Sequence, residues 1–164
     1  MPYVIAYAST AVVFFALDYL WLTRIAIGFY REHIGSLLLA TPNFAAAGIF
    51  YLFYVIGLVY FAVMPAVSAG SVLTAIFNGA LLGLLAYGTY DMTNLATLKG
   101  WSLQVSLVDM AWGAFLSATA SAAAAASAAS ARDFAAESLR ATVSASNWRR
   151  RSFYETETTC VSKP

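Results

Sequence analysis

Between Glu32 and Asp91 the chain runs for 58 residues, 33–90, without one Asp, Glu, Lys or Arg, and residues 110–131 form a second such run of 22. A domain folded in water carries roughly 25% charged residues. Here the figure is 10%, against 61% hydrophobic residues and a mean hydropathy of +0.71. That pattern excludes a soluble enzyme, a disordered chain and a disulfide-stapled secreted domain. A formal net charge of +1 leaves no basic footprint for nucleic acid. What remains is an all-α fold, a polytopic integral membrane protein whose first partner is the lipid bilayer.

A spanning helix needs about 20 mainly apolar residues, and four stretches qualify. They cover about residues 3–23, 43–64, 71–93 and 103–123. Arg24 stops the first. Pro42 opens the second at a tolerated helix-start position and Pro65 is expected to close it. The Gly70-Ser71 turn signal precedes the third. Continuous apolar runs argue for helices over the alternation of a membrane barrel. The first run has no Lys or Arg before it and no cleavage signal after it, so it is expected to be a retained span. Residues 1–131 thus form a four-helix transmembrane bundle.

Residues 132–164 differ: they hold six of the nine basic and four of the eight acidic residues. This reads as a polar, disordered tail with at most a short amphipathic helix around 134–143. Cys160, the single cysteine, is expected there as an exposed thiol. With four spans, the loops at 24–42 and 94–102 share one side of the membrane and both termini share the other. The loop cations Arg24, Arg31 and Lys99 argue that the loop side is cytoplasmic. Arg132, Arg140 and the Arg149-Arg150-Arg151 cluster argue the reverse.

Asp18, Asp91 and Asp109 are the informative residues, since a charge at mid-bilayer costs about 2.5–3.5 kcal/mol on insertion scales. From the span limits all three lie near one membrane face, the side that bears Arg24 and Lys99. Tyr87, Asp91 and Asn94 share a helical stripe at i, i+4, i+7. Asp18 and Asp109 each have a tryptophan at i+3, Trp21 and Trp112, suited to a boundary between apolar and wet regions. The two Asp-x-x-Trp units run through the membrane in opposite directions, which hints at an inverted repeat. The candidate polar site therefore comprises Asp18, Asp91, Asp109, Asn94, Trp21, Trp112, Arg24 and Lys99.

Three roles compete for that site: an ion, proton or small-solute site; acid/base or metal-holding groups of an enzyme or accessory factor in membrane lipid modification; and hydrogen bonds that hold the bundle together, alone or within a larger complex. No Gly-rich phosphate loop, serine-hydrolase elbow, CxxC or HExxH occurs, so no cofactor and no metal is expected. Gly79-x-x-x-Gly83 permits close helix contact, within the bundle or with a second copy as a homo-oligomer. Asn78 beside it can bond across helices. His33 is expected as a solvated loop residue.

Several blocks recur in order: Asp18-Tyr-Leu-Trp21-Leu22, Gly28-Phe-Tyr-Arg31, Gly57-Leu-Val-Tyr-Phe61, Tyr90-Asp91-Met-Thr-Asn94-Leu-Ala-Thr-Leu-Lys99-Gly-Trp101 and Val108-Asp109-Met-Ala-Trp112-Gly113. Over about residues 1–120 they resemble the bacterial integral-membrane family "domain of unknown function 2177". The resemblance implies a small four-helix protein of the bacterial cytoplasmic membrane and assigns no activity. The Ala-, Ser- and Arg-rich sequence after about Ser117 departs from it, and is also what a shifted frame of a GC-rich gene would encode. Discounting the tail on that ground places the loops, and the aspartates with them, toward the cytoplasm.

Overall fold

The computed structural model describes the backbone of residues 2–161 and the side chains of residues 3–145, 147 and 148. The side chains of Arg149, Arg150, Arg151 and Cys160 lie outside the described residues. The chain divides into two units, Met1–Ala129 and Ser130–Pro164. The first is a bundle of four membrane-spanning helices, as the apolar runs require.

Helix α1, Pro2–Leu20, continues through a wider π-turn at Trp21–Ile25 to complete the first span. A short helix α2, Ile27–Ile34, follows in the loop and buries Ile34. The second span starts where Asn43 caps α3, Phe44–Leu58, by accepting the Ala46 N–H at 3.1 Å. It does not stop at Pro65. A π-turn at Val59–Val63 hands over to α4, Met64–Ala69, with Pro65 in its first turn. Proline cannot bond the carbonyl four residues back, which is that of Phe61. The Asn78 amide of the next span donates to that oxygen at 3.2 Å, so the helix passes the proline without stranding a polar group in lipid. Gly70, at φ 63°, then ends the span in the left-handed conformation.

The third span, α5, runs Val72–Thr97, past the expected end near residue 93. The Thr93 and Thr97 hydroxyls fold back onto carbonyls one turn earlier, so these polar side chains are satisfied within the helix. The fourth, α6, starts at Leu103 and stays helical to Val161. The expected end near residue 123 is overrun because Ala, Arg and Glu are strong helix formers and no Gly or Pro lies between Gly113 and Lys163. The second unit is thus helical through 161 where the sequence predicts a disordered tail, and it exposes Phe134 and Trp148.

Packing within the bundle changes along its length. At one end the core is small: Ala6, Val63, Ala66, Ala75, Ala124, Ala125 and Ala128. In the middle Phe14, Val55, Leu58 and Leu116 take over. At the other end Asp18, Tyr51, Tyr87 and Asp109 surround a cavity. Consecutive spans are therefore antiparallel. Many large apolar side chains, such as Phe53, Phe77 and Leu85, face outward, as a lipid solvent allows.

Helices α5 and α6 come within backbone contact. A Cβ on Gly83 would lie 2.1 Å from the Gly113 carbonyl oxygen, and one on Gly79 2.7 Å from that of Ser117. Gly79-x-x-x-Gly83 faces Gly113-x-x-x-Ser117-x-x-x-Ser121, two small-residue stripes with the same four-residue spacing. The motif is thus used inside the bundle. Ser117, Ala120, Ser121, Ala124 and Ala128 are all fully buried, so the Ala/Ser run that looked foreign to the fold is a packing seam.

Candidate functional site

Corrected span limits put the three aspartates at similar depth. Asp18 is seven residues before the end of the first span, Asp91 six before the end of the third, and Asp109 six after the start of the fourth. At about 1.5 Å per residue that is roughly 9–10 Å from the loop-side helix ends. Depth alone does not bring them together. Asp18 and Asp109 line the cavity, whose volume is about 520 Å³, and Asp91 does not. Among the described residues no three His, Cys, Asp or Glu side chains are close enough to share a metal ion.

Asp91 is elsewhere because of the seam. Gly79, Gly83, Tyr87 and Asp91 follow one another at i+4 on α5, the stripe pressed against α6. Asp91 is fully buried, and neither carboxylate oxygen has a hydrogen-bond partner among the described residues. Ser106 of α6 reaches only its backbone carbonyl, at 3.4 Å.

The two Asp-x-x-Trp units meet face to face. Their indoles stack, with ring centroids 4.3 Å apart and planes 8° from parallel. Each indole serves the other unit's carboxylate. Trp112 donates its N–H to Asp18 at 3.3 Å. Trp21 donates to the Tyr30 hydroxyl at 3.0 Å, and Tyr30 donates in turn to Asp109. Burial, and then the Asp109 carboxylate it faces, push the Tyr30 hydroxyl above its ordinary pKa range, so it acts as a neutral donor. Asp18 is 3% exposed and is also approached by the Tyr51 hydroxyl. Tyr54, opposite, bonds Ser117 at 2.9 Å.

Helix α2 closes one side. Tyr30 and Ile34 line the cavity, and His33 sits 2.6 Å from the Gln104 side chain at the start of α6 and 2.9 Å from the Phe29 carbonyl. His33 therefore ties the loop helix to the fourth span instead of standing free in solvent. The remaining sequence candidates divide. Trp21 and Trp112 line the cavity, whereas Arg24, Lys99 and Asn94 do not. Arg24 and Lys99 are exposed, and Asn94 bonds the Tyr90 side chain one turn away.

Sequence reasoning missed the tyrosines Tyr30, Tyr51 and Tyr54. A signal for Tyr30 existed: Ile27, Tyr30 and Ile34 share one face of α2, with Arg31 and Glu32 turned away from it. Among the described residues, ten of the 17 that line the cavity are aromatic, and none is Lys, Arg or His.

The same residues can be set against known families. The family model described as "Predicted membrane protein (DUF2177)" matches residues 3–126. The chain belongs to this family. The match takes in every residue of the cavity and the buried positions of the four spans as far as Ala125, leaving out Ala128, and it continues nine residues past Ser117. Comparison with curated proteins and with solved structures gives no match.

Proposed function

We propose that this DUF2177 protein holds a small solute or ion within the membrane, at a site built on Asp18 and Asp109. One observation carries the reading: two carboxylates from different spans share a cavity of about 520 Å³ whose lining, among the described residues, includes no basic residue. Acids at that depth are costly unless they face a polar cavity or a partner, and their donors here, Trp112 and Tyr30, are neutral. A net negative potential is left for a cation or a proton to satisfy. The cavity adjoins the loop side, so solute enters from there. We assign that side to the cytoplasm of a bacterial cell: the family match ends at residue 126, which leaves Arg24, Arg31 and Lys99 as the cations of the matched region. The GxxxG face is occupied by α6, so a second copy or complex partner would have to use a lipid-facing surface.

The test is flux in proteoliposomes, with membrane lipid composition measured in parallel, for the parent and for Asp18→Asn and Asp109→Asn. Flux lost in both variants with lipids unchanged is the expected result. Altered lipids with unchanged flux would favour a role in lipid modification and overturn the solute reading. Asp91→Asn, outside the cavity, is expected to retain flux.

A further inference from the structure

We infer that the cavity binds the ammonium group of an organic cation, which rests on the solute-site reading above and gives it a substrate class. Its size comes first. A volume of about 520 Å³ falls within the range of roughly 300–1,000 Å³ typical of small-molecule sites, far more than a bare ion fills. Coordination of a hard metal ion calls for about six to eight oxygens. Here no three carboxylate, imidazole or thiol groups converge among the described residues. Asp18 and Asp109 each already accept an indole or phenol donor.

The walls select the charge. With Asp18 and Asp109 the only charged side chains of the described lining, an anion or a lipid phosphate inside would meet negative charge and the electron-rich faces of aromatic rings. A substituted ammonium meets the opposite. Its N–H or N–CH₃ groups face carboxylates, and rings such as Trp21, Trp112 and Tyr87 attract cations through their quadrupoles, more strongly where water is excluded. The apolar part of the ligand finds Phe14, Ile34 and Leu38. An ammonium, an aromatic or aliphatic body, and no phosphate inside the cavity describe the ligand.

Three probes that share a phenyl ring and differ in charge test this on the full-length protein in detergent: benzyltrimethylammonium, benzyl alcohol and benzoate, followed by tryptophan fluorescence, since Trp21, Trp101 and Trp112 line the cavity. The expected result is saturable quenching by the ammonium alone, weakened at least tenfold in Asp18→Asn or Asp109→Asn and abolished by Ala86→Phe, which adds bulk to the cavity wall and leaves both acids in the sequence. Equal binding of benzyl alcohol, or no saturable binding by the parent, overturns the inference. The parent charge series needs no variant, so misfolding of a mutant cannot rescue the idea. Inorganic-cation flux that persists while benzyltrimethylammonium fails to bind sinks this inference and leaves the solute-site reading standing. Nanodiscs then separate the two sources of ammonium. Competition by phosphatidylethanolamine but not phosphatidylglycerol identifies a lipid headgroup, and binding equal in both identifies a free amine.

Discussion

The two ends of the bundle solve opposite problems with the same four helices. At the end farthest from the loops, Ala6, Ala66, Ala75, Ala124 and Ala128 form a core of small side chains. Nearer the middle, Gly79, Gly83 and Gly113 let α5 and α6 come within backbone contact. At the loop end, Trp21, Tyr51, Tyr87 and Trp112 hold the helices apart around a cavity. Lipid gives helices no hydrophobic reason to associate, so close van der Waals contact must do it. The seam supplies that contact, and a tight seam at one end lets the other end stay open. Gly113 joins the two regimes, because a Cβ there would sit 2.3 Å from the Tyr87 ring that lines the cavity.

The greatest loss of stability is expected at the seam. Gly83→Leu drives a side chain into the backbone of α6, where nothing can yield. A loss of about 3 kcal/mol, at the upper end of overpacking costs, is expected in denaturant titration of the micelle-embedded protein. A parent-like unfolding midpoint would show the approach of α5 and α6 to be looser than described. Trp112→Phe keeps a ring against Trp21 but removes the donor to Asp18, leaving a buried carboxylate one partner short. About 2 kcal/mol is expected, in line with the cost of an unsatisfied buried group, together with weaker benzyltrimethylammonium binding.

Tyr30→Phe breaks the chain from Trp21 to Asp109 at its middle and should cost about 1 kcal/mol. It also carries a pH signature. A phenol whose pKa is raised on folding contributes stability that is complete below the unfolded value, about 10, and declines as pH rises above it. Stability measured through that window should therefore fall more steeply in the parent than in Tyr30→Phe. Identical slopes would place Tyr30 in contact with water. Phe53→Leu, on the lipid-facing surface, marks the floor: a change within about 0.5 kcal/mol and unaltered ligand binding are expected from the same two assays.

Much of this fold is legible in the order of residues alone. Continuous apolar runs can satisfy their backbone in lipid only as helices, so the span count follows directly. Chain direction then makes Asp18 and Asp109 share a depth. Hydropathy is a poor guide where it meets small residues. Ala and Ser at 117–128 look like a weak span or foreign sequence on a transfer scale, yet their lack of bulk is what packs them against Gly79 and Gly83. Pro65 misleads for a related reason: the partner that satisfies its orphaned carbonyl, Asn78, lies on another helix.

By itself the sequence determined that this is a membrane protein of four antiparallel helices with three acids near one face, because the rise per residue and the bilayer thickness leave little freedom along the membrane normal. Rotation about each helix axis is not so constrained. Almost every side chain in these spans is apolar enough for either lipid or core, so no amphipathic pattern says which face turns inward. The α5–α6 contact decided that rotation. For those two helices it sent Asp91 into the seam and left Asp109 on the cavity, while the packing of α1, α2 and α3 against them brought in Asp18 and the tyrosines Tyr30, Tyr51 and Tyr54.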